Sequence, residues 1–158
     1  MRLLRALIVL ASVSSTSGAG AFAPAIKNAC DLITKVEMEA ALGVPMRNPE
    51  PQIMGMCEYR SAADHPHKSV RLMLNRAESR QEWEQHERGL DPDVKPTALE
   101  GIGDAALLWN RTLDARAAII KGKTTLTIVL DVGKMMPKVA ETQPVARRLG
   151  EIAVARMP

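Results

Sequence analysis

The chain has 158 residues, 21 Lys and Arg against 18 Asp and Glu, and only 3% aromatic residues. That length suits one domain able to bury roughly two-thirds of its unfolded surface, and the scarcity of rings makes its core aliphatic. It carries no basic stripe interleaved with aromatics, which argues against nucleic acid as a partner.

The chain opens Met1-Arg2-Leu3-Leu4-Arg5. An apolar run over residues 6–13, broken only by Ser12, leads into small residues over 14–23. A basic start, a short apolar run and small residues before a cut site are the three parts of a secretion signal. The run is shorter than the ~20 apolar residues needed to cross a bilayer. Two A-x-A sites compete: cleavage after Ala21 leaves Phe22 first, and cleavage after Ala23 leaves Pro24 first. The first is favoured, because a proline ring fits a peptidase site poorly just after the cut. Residues 1–21 are thus expected to be removed, leaving 22–158 as a single exported domain, periplasmic or extracellular. Losing Arg2 and Arg5 takes the net charge from +3 to +1. No second long apolar segment follows, so no integral membrane span is expected after cleavage.

Two cysteines are present, Cys30 and Cys57. An even pair in an oxidising compartment most simply forms one disulfide. Closing the 30–57 loop is worth about 3.5 kcal/mol in the chain-entropy account. Lipid attachment at Cys30 is rejected, because Lys27-Asn28-Ala29 precedes it and the apolar run ends far upstream.

Residues 34–42 read as a helix, with Thr34 and Glu37 as a capping box and Gly43 as the C-terminal stop. Ile33, Val36 and Ala40 are expected on its buried face. Pro45, Pro49 and Pro51 mark a loop. Residues 54–60 alternate, with Gly55, Cys57 and Tyr59 on one face and Met54, Met56, Glu58 and Arg60 on the other. Residues 70–75 alternate too, and the two make a hairpin around a polar turn. Residues 78–88 read as a charged helix with Trp83, His86 and Leu90 on one face. The segment 91–103 is a loop rich in Pro and Gly. Strands are expected over 105–109, 116–120 and 124–132, the last two joined by a tight turn at Lys121-Gly122-Lys123. A final helix spans 144–156, with Pro144 at its first position. The order α-β-β-α-β-β-β-α predicts an α+β fold, an antiparallel sheet of about five strands with helices packed on it.

Three pieces carry a resemblance. Cys30-Asp31-Leu32-Ile33-Thr34 runs into a helix ending Ala41-Leu42-Gly43. Cys57-Glu58-Tyr59 follows. Gly101-Ile102-Gly103-Asp104-Ala105-Ala106 then precedes an apolar strand, with Lys121-Gly122-Lys123 later leading into the last one. Together they resemble the small exported bacterial domains of unknown function grouped as DUF3558. The resemblance implies the paired cysteines and an α+β fold. It carries no catalytic residues.

The chemistry-bearing motifs are sparse. Gly101-Ile102-Gly103-Asp104-Ala105-Ala106 fits the letters of a dinucleotide loop, but a fingerprint of that kind opens a helix. Here strand residues follow, so a tight loop-to-strand turn is the better account. His65 and His67 lie two apart in Asp64-His65-Pro66-His67, and in an extended segment both project to one side. With Met54 and Met56 they make a candidate copper or zinc ligand set for an exported protein. No G-x-S-x-G elbow is present, a bridged cysteine pair leaves no thiol, and Glu82 and Glu87 read as surface charge on a solvated helix. The expectation is a non-enzymatic envelope domain with no cofactor that binds an unidentified protein or envelope component. The alternative is a periplasmic copper- or zinc-binding protein.

Overall fold

The computed structural model describes residues 28–63 and 67–158. The expected signal peptide, its cut sites and His65 lie outside these residues. The described chain starts with a single 3-10 turn, Ala29–Asp31, capped by the Asn28 side chain, which accepts from the Cys30 amide at 2.7 Å. Helix α1 (Lys35–Leu42) begins on the capping box read from the sequence. The Thr34 hydroxyl accepts from the Glu37 amide at 3.3 Å, and the Glu37 carboxylate accepts from the Thr34 amide at 2.8 Å. Gly43 ends the helix in the left-handed conformation, φ 68°. The buried face is Met38 and Leu42, four residues apart, not the expected Val36 and Ala40, which face outward. Ile33 is buried but precedes the N-cap, so it does not set the helical phase.

Strands β1 (Glu50–Pro51), β2 (Cys57–Arg60) and β3 (Ser69–Arg76) come next, then α2 (Arg80–Leu90). Strands β4 (Thr97–Ala98), β5 (Ala105–Asn110), β6 (Ala115–Lys121) and β7 (Thr124–Asp131) precede α3 (Val139–Arg156). The α+β class holds, but among the described residues the antiparallel sheet has seven strands rather than about five. The two additions, β1 and β4, are two-residue edge strands inside segments expected to be loops. Proline is tolerated at a sheet edge, where its missing N–H deprives no inner ladder of a donor. Strand β2 starts at Cys57, later than expected. Met54 sits at φ 58° in a 3-10 turn, Ile53–Gly55, and so leaves the extended conformation.

Helix α3 starts five residues earlier than expected and encloses Pro144. Its first turn is held by Glu141, which accepts from the Lys138 amide at 3.1 Å. Pro144 is exposed, as is Ala140, whose carbonyl the proline leaves without its helical donor. Solvent can meet that carbonyl, which lowers the cost of an interior proline.

The sheet order β1-β2-β3-β7-β6-β5-β4 describes two antiparallel meanders joined edge to edge. The first is β1-β2-β3 and the second is β4-β5-β6-β7. They meet at β3 and β7, which pair along eight positions from Ser69 opposite Asp131 to Arg76 opposite Thr124. Helix α2 is the crossover between them.

Alternation along the strands gives the sheet two different faces. On the first, Val70 and Leu72 of β3, Leu126, Ile128 and Leu130 of β7, and Ile119 of β6 join one aliphatic core with the helix residues Met38, Leu42, Ala146 and Leu149. Helix α3 covers β5 to β7, and the 3-10 turn at 29–31 covers β1 to β3. The second face holds a smaller cluster of Trp83, Leu107, Trp109, Ala118 and Ile120, under α2. Gly103 shows how close the packing runs at the start of β5. At its φ of 58° a side-chain Cβ would come within 2.4 Å of the Ile120 carbonyl oxygen, which accepts from the Asp104 amide at 2.8 Å. The glycines of this segment thus serve a turn into a strand.

Candidate functional site

Helix α2 follows β3 after a three-residue link and is capped by Ser79, whose hydroxyl accepts from the Glu82 amide at 3.1 Å. It packs on β6, and beside it Arg71 and Asn75 of β3 are exposed while Thr125, Thr127 and Val129 of β7 are buried. The wedge between helix and sheet is a cleft of about 670 Å³. Its floor is Thr125 and Thr127 of β7 beside Asn75 of β3. Its helical wall is Glu82, Trp83, Gln85, His86 and Glu87, and its mouth is formed by Arg76, Ala77 and Glu78.

The buried residues of α2 are Trp83 and Glu87, one turn apart, rather than the expected stripe of Trp83, His86 and Leu90. His86 and Leu90 are exposed. Glu87 is not surface charge: it is 5% exposed and accepts from the guanidinium of Arg116, itself 7% exposed. Arg116 lies over the ring of its cross-strand neighbour Trp109, 5.3 Å from the ring centroid, an attractive cation–π placement. Burying an ion pair costs desolvation that its mutual attraction barely returns. Three buried donors in this layer, Trp83 Nε1, Trp109 Nε1 and Arg116 Nη1, also have no acceptor. Glu78, just past the end of β3, lies 3.9 Å from Lys123 of the β6–β7 turn, and both are exposed.

One sequence signal points here. Arg116 interrupts the otherwise apolar β6 run Ala115-Arg116-Ala117-Ala118-Ile119-Ile120, and a charge in such a strand requires a buried partner. Nothing in the local sequence says that the partner is Glu87, because the pairing crosses from helix to sheet. Thr125 and Thr127 alternate with Leu126 and Ile128, which marks the second face of β7 as the more polar one, although both threonines are buried.

The residues singled out from the sequence have separate fates. Cys30 and Cys57 stand at disulfide distance, with sulfurs 1.97 Å and Cα atoms 5.1 Å apart, and they link the 3-10 turn to β2. Met54 is 86% exposed in the turn before β2, and Met56 is half-buried at the strand's entrance. His67 is exposed beyond the other end of β2, ahead of β3. Four strand residues, about 13 Å, separate those two ends, so the two methionines are not brought to His67. Among the described residues no group of three or more His, Cys, Asp or Glu is placed to hold a metal ion. No helix among them is long and apolar enough to cross a membrane.

Set against known protein families and against curated proteins, the chain matches none.

Proposed function

We propose that this chain is an exported, non-enzymatic domain of the cell envelope that binds a protein or an envelope component in the cleft beside α2. The observation that carries this reading is the cleft of about 670 Å³ at the seam of the two meanders, walled by a helix whose buried face is half polar. A domain shaped for stability alone gains by filling such space with side chains and by replacing a buried ion pair with apolar residues. Stability given up around a concave site is the usual mark of a functional one. Glu87, one of the cleft's carboxylates, is engaged with the buried Arg116, which suits a fixed wall better than proton transfer. Export is supported by the tripartite N-terminal sequence and by a cysteine pair at disulfide distance, since such pairs persist outside the reducing cytosol. The resemblance to the DUF3558 domains points to the same setting.

Photo-crosslinking in the intact envelope tests the reading. A crosslinking residue at Gln85, in the cleft wall, should capture an envelope component. The same residue at Val36, exposed on α1 across the sheet, should not. Identical adducts from both positions, or none from Gln85, would overturn the assignment.

A further inference from the structure

We infer that the ligand of this cleft is a neutral, hydroxyl-rich molecule, a saccharide chain, rather than an ion or an apolar group. The inference rests on the cleft being the binding site and names the chemistry it would take. Charge is the first argument. The lining includes Arg76 and the carboxylates of Glu78, Glu82 and Glu87. Arg116 pairs with Glu87, and Lys123 faces Glu78. Counted with these two partners, which lie outside the lining, three cations stand against the three carboxylates, which leaves no large excess of one sign to hold an ionic ligand. Ion-binding clefts do the opposite and concentrate one sign of charge.

Hydrogen-bonding capacity is the second argument. The remaining polar lining is Asn75, Gln85, His86, Thr125 and Thr127. Hydroxyls and amides each both donate and accept. A ligand matched to such a wall carries groups that also do both, which is the character of a sugar hydroxyl. The two threonines are alternate residues on one strand, so their hydroxyls lie on one face, roughly 7 Å apart along the floor.

The third argument is aromatic. Apolar lining is confined to Trp83 and Ala77, too little to hold a greasy ligand in a site of this size. Trp83 is 3% exposed, and its Nε1 has no acceptor in the protein. So deeply buried a ring offers a ligand almost no apolar surface, and what the cleft presents is polar.

The chain's two tryptophans both belong to this face, so intrinsic fluorescence reports on the site directly. The purified full chain is titrated with cellotriose, chitotriose and maltotriose, and with sialyllactose and trilysine as charged comparators. At least one neutral trisaccharide should shift the emission saturably at millimolar concentration or below, and the charged probes should bind more weakly. Gln85→Ala and Asn75→Ala, both at exposed lining residues, should each weaken that titration by about three- to tenfold, one hydrogen bond's worth, with the melting temperature unchanged. Silence from all three neutral trisaccharides overturns the saccharide assignment. A saturable response to trilysine instead, sensitive to the same two substitutions, overturns it while leaving the cleft as a binding site, and a response to sialyllactose alone overturns the neutrality of the ligand. Silence from every probe, joined to failure of the Gln85 crosslink, removes the binding reading itself.

Discussion

The two faces of the sheet use their polar groups in opposite ways. On the sealed face Tyr59, Arg156 and Lys121 each tie one element to another. Tyr59 donates to the Ile33 carbonyl, and burial pushes its hydroxyl pKa up to about 12. Arg156 donates to the Leu32 carbonyl at 2.7 Å and to both oxygens of Glu37 at 2.7 Å each. Lys121 caps the end of α3 at the Val154 and Met157 carbonyls, 3.1 and 2.6 Å away. Beneath α2, by contrast, an ion pair is buried and three donors lack acceptors. Satisfied polar groups on one face stabilise the fold, and costly ones on the other are retained beside a cleft. On the proposed reading, stability and recognition are thus divided between the two sides of one sheet.

The sharpest way to break that contrast is to separate Glu87 from Arg116. Glu87→Ala leaves a buried guanidinium without its carboxylate and should destabilise the protein by about 3–5 kcal/mol. Replacing both residues with methionine should recover most of that loss, because apolar groups of similar size avoid the desolvation. Urea denaturation of the single and double variants decides it. A double variant as unstable as Glu87→Ala would mean the pair supports the fold, and the contrast between faces would fail.

The disulfide is the next largest effect and belongs to the sealed face. Cys30→Ala and Cys57→Ala should each cost about 2–5 kcal/mol and lower the melting temperature equally, since each removes the same bond. Reductant should bring the unmodified protein to the same value. Unequal losses, or none, would show that the segment ahead of α1 is held by packing alone.

How much of this is legible in the sequence depends on whether the cause is local. The capping box at Thr34 and Glu37, the left-handed Gly43 and the alternation of Leu126, Ile128 and Leu130 are all set by neighbours a few residues away, and the structure keeps them. The buried face of α1 differs from the expected one because Ile33 lies ahead of the helix and cannot fix its phase. Strands β1 and β4 escape a sequence reading because two-residue edge pairings arise from the sheet they join, not from periodicity of their own. The cleft is invisible for the same reason. Glu87 looks solvated until α2 is laid over β6, and no spacing rule links positions 87 and 116.

Tyr59→Phe refines the account of the sealed face. The change removes only the hydroxyl that meets the Ile33 carbonyl and leaves the ring in the core. Losing a buried hydrogen bond and stranding the acceptor should cost about 1–3 kcal/mol. Trp83→Phe on the other face removes an indole N–H that has no acceptor, so its polar component should cost nothing. Its destabilisation should be no more than the lost ring volume. Equal polar losses at the two positions, measured by calorimetry, would erase the distinction.

The smallest expected effect is a pH dependence at the junction of α1 and α3. The guanidinium of Arg156 hydrogen-bonds Glu37, and with help from the Thr34 amide and hydroxyl it lowers the carboxyl from 4.5 to about 2 against the opposing effect of burial. A carboxylate with a depressed folded value contributes stability that is complete above its unfolded value. That contribution is lost as pH falls through the folded one. Stability should therefore decline from about pH 4.5 toward pH 2, where Glu37 protonates in the fold. Arg156 is 38% exposed, so solvent screening limits the contribution to about 1 kcal/mol. Glu39 and Glu141 are lowered too, the first mainly by the Met46 amide and the second mainly by Lys134, and they add slope in the same direction. Glu37→Gln should accordingly flatten the acid limb without abolishing it, and lower stability at pH 7 by a similar small amount. Melting temperatures at pH 7, 4 and 2.5 measure both. An acid limb unchanged by Glu37→Gln would mean that the fork between Arg156 and Glu37 adds nothing to the sealed face beyond geometry.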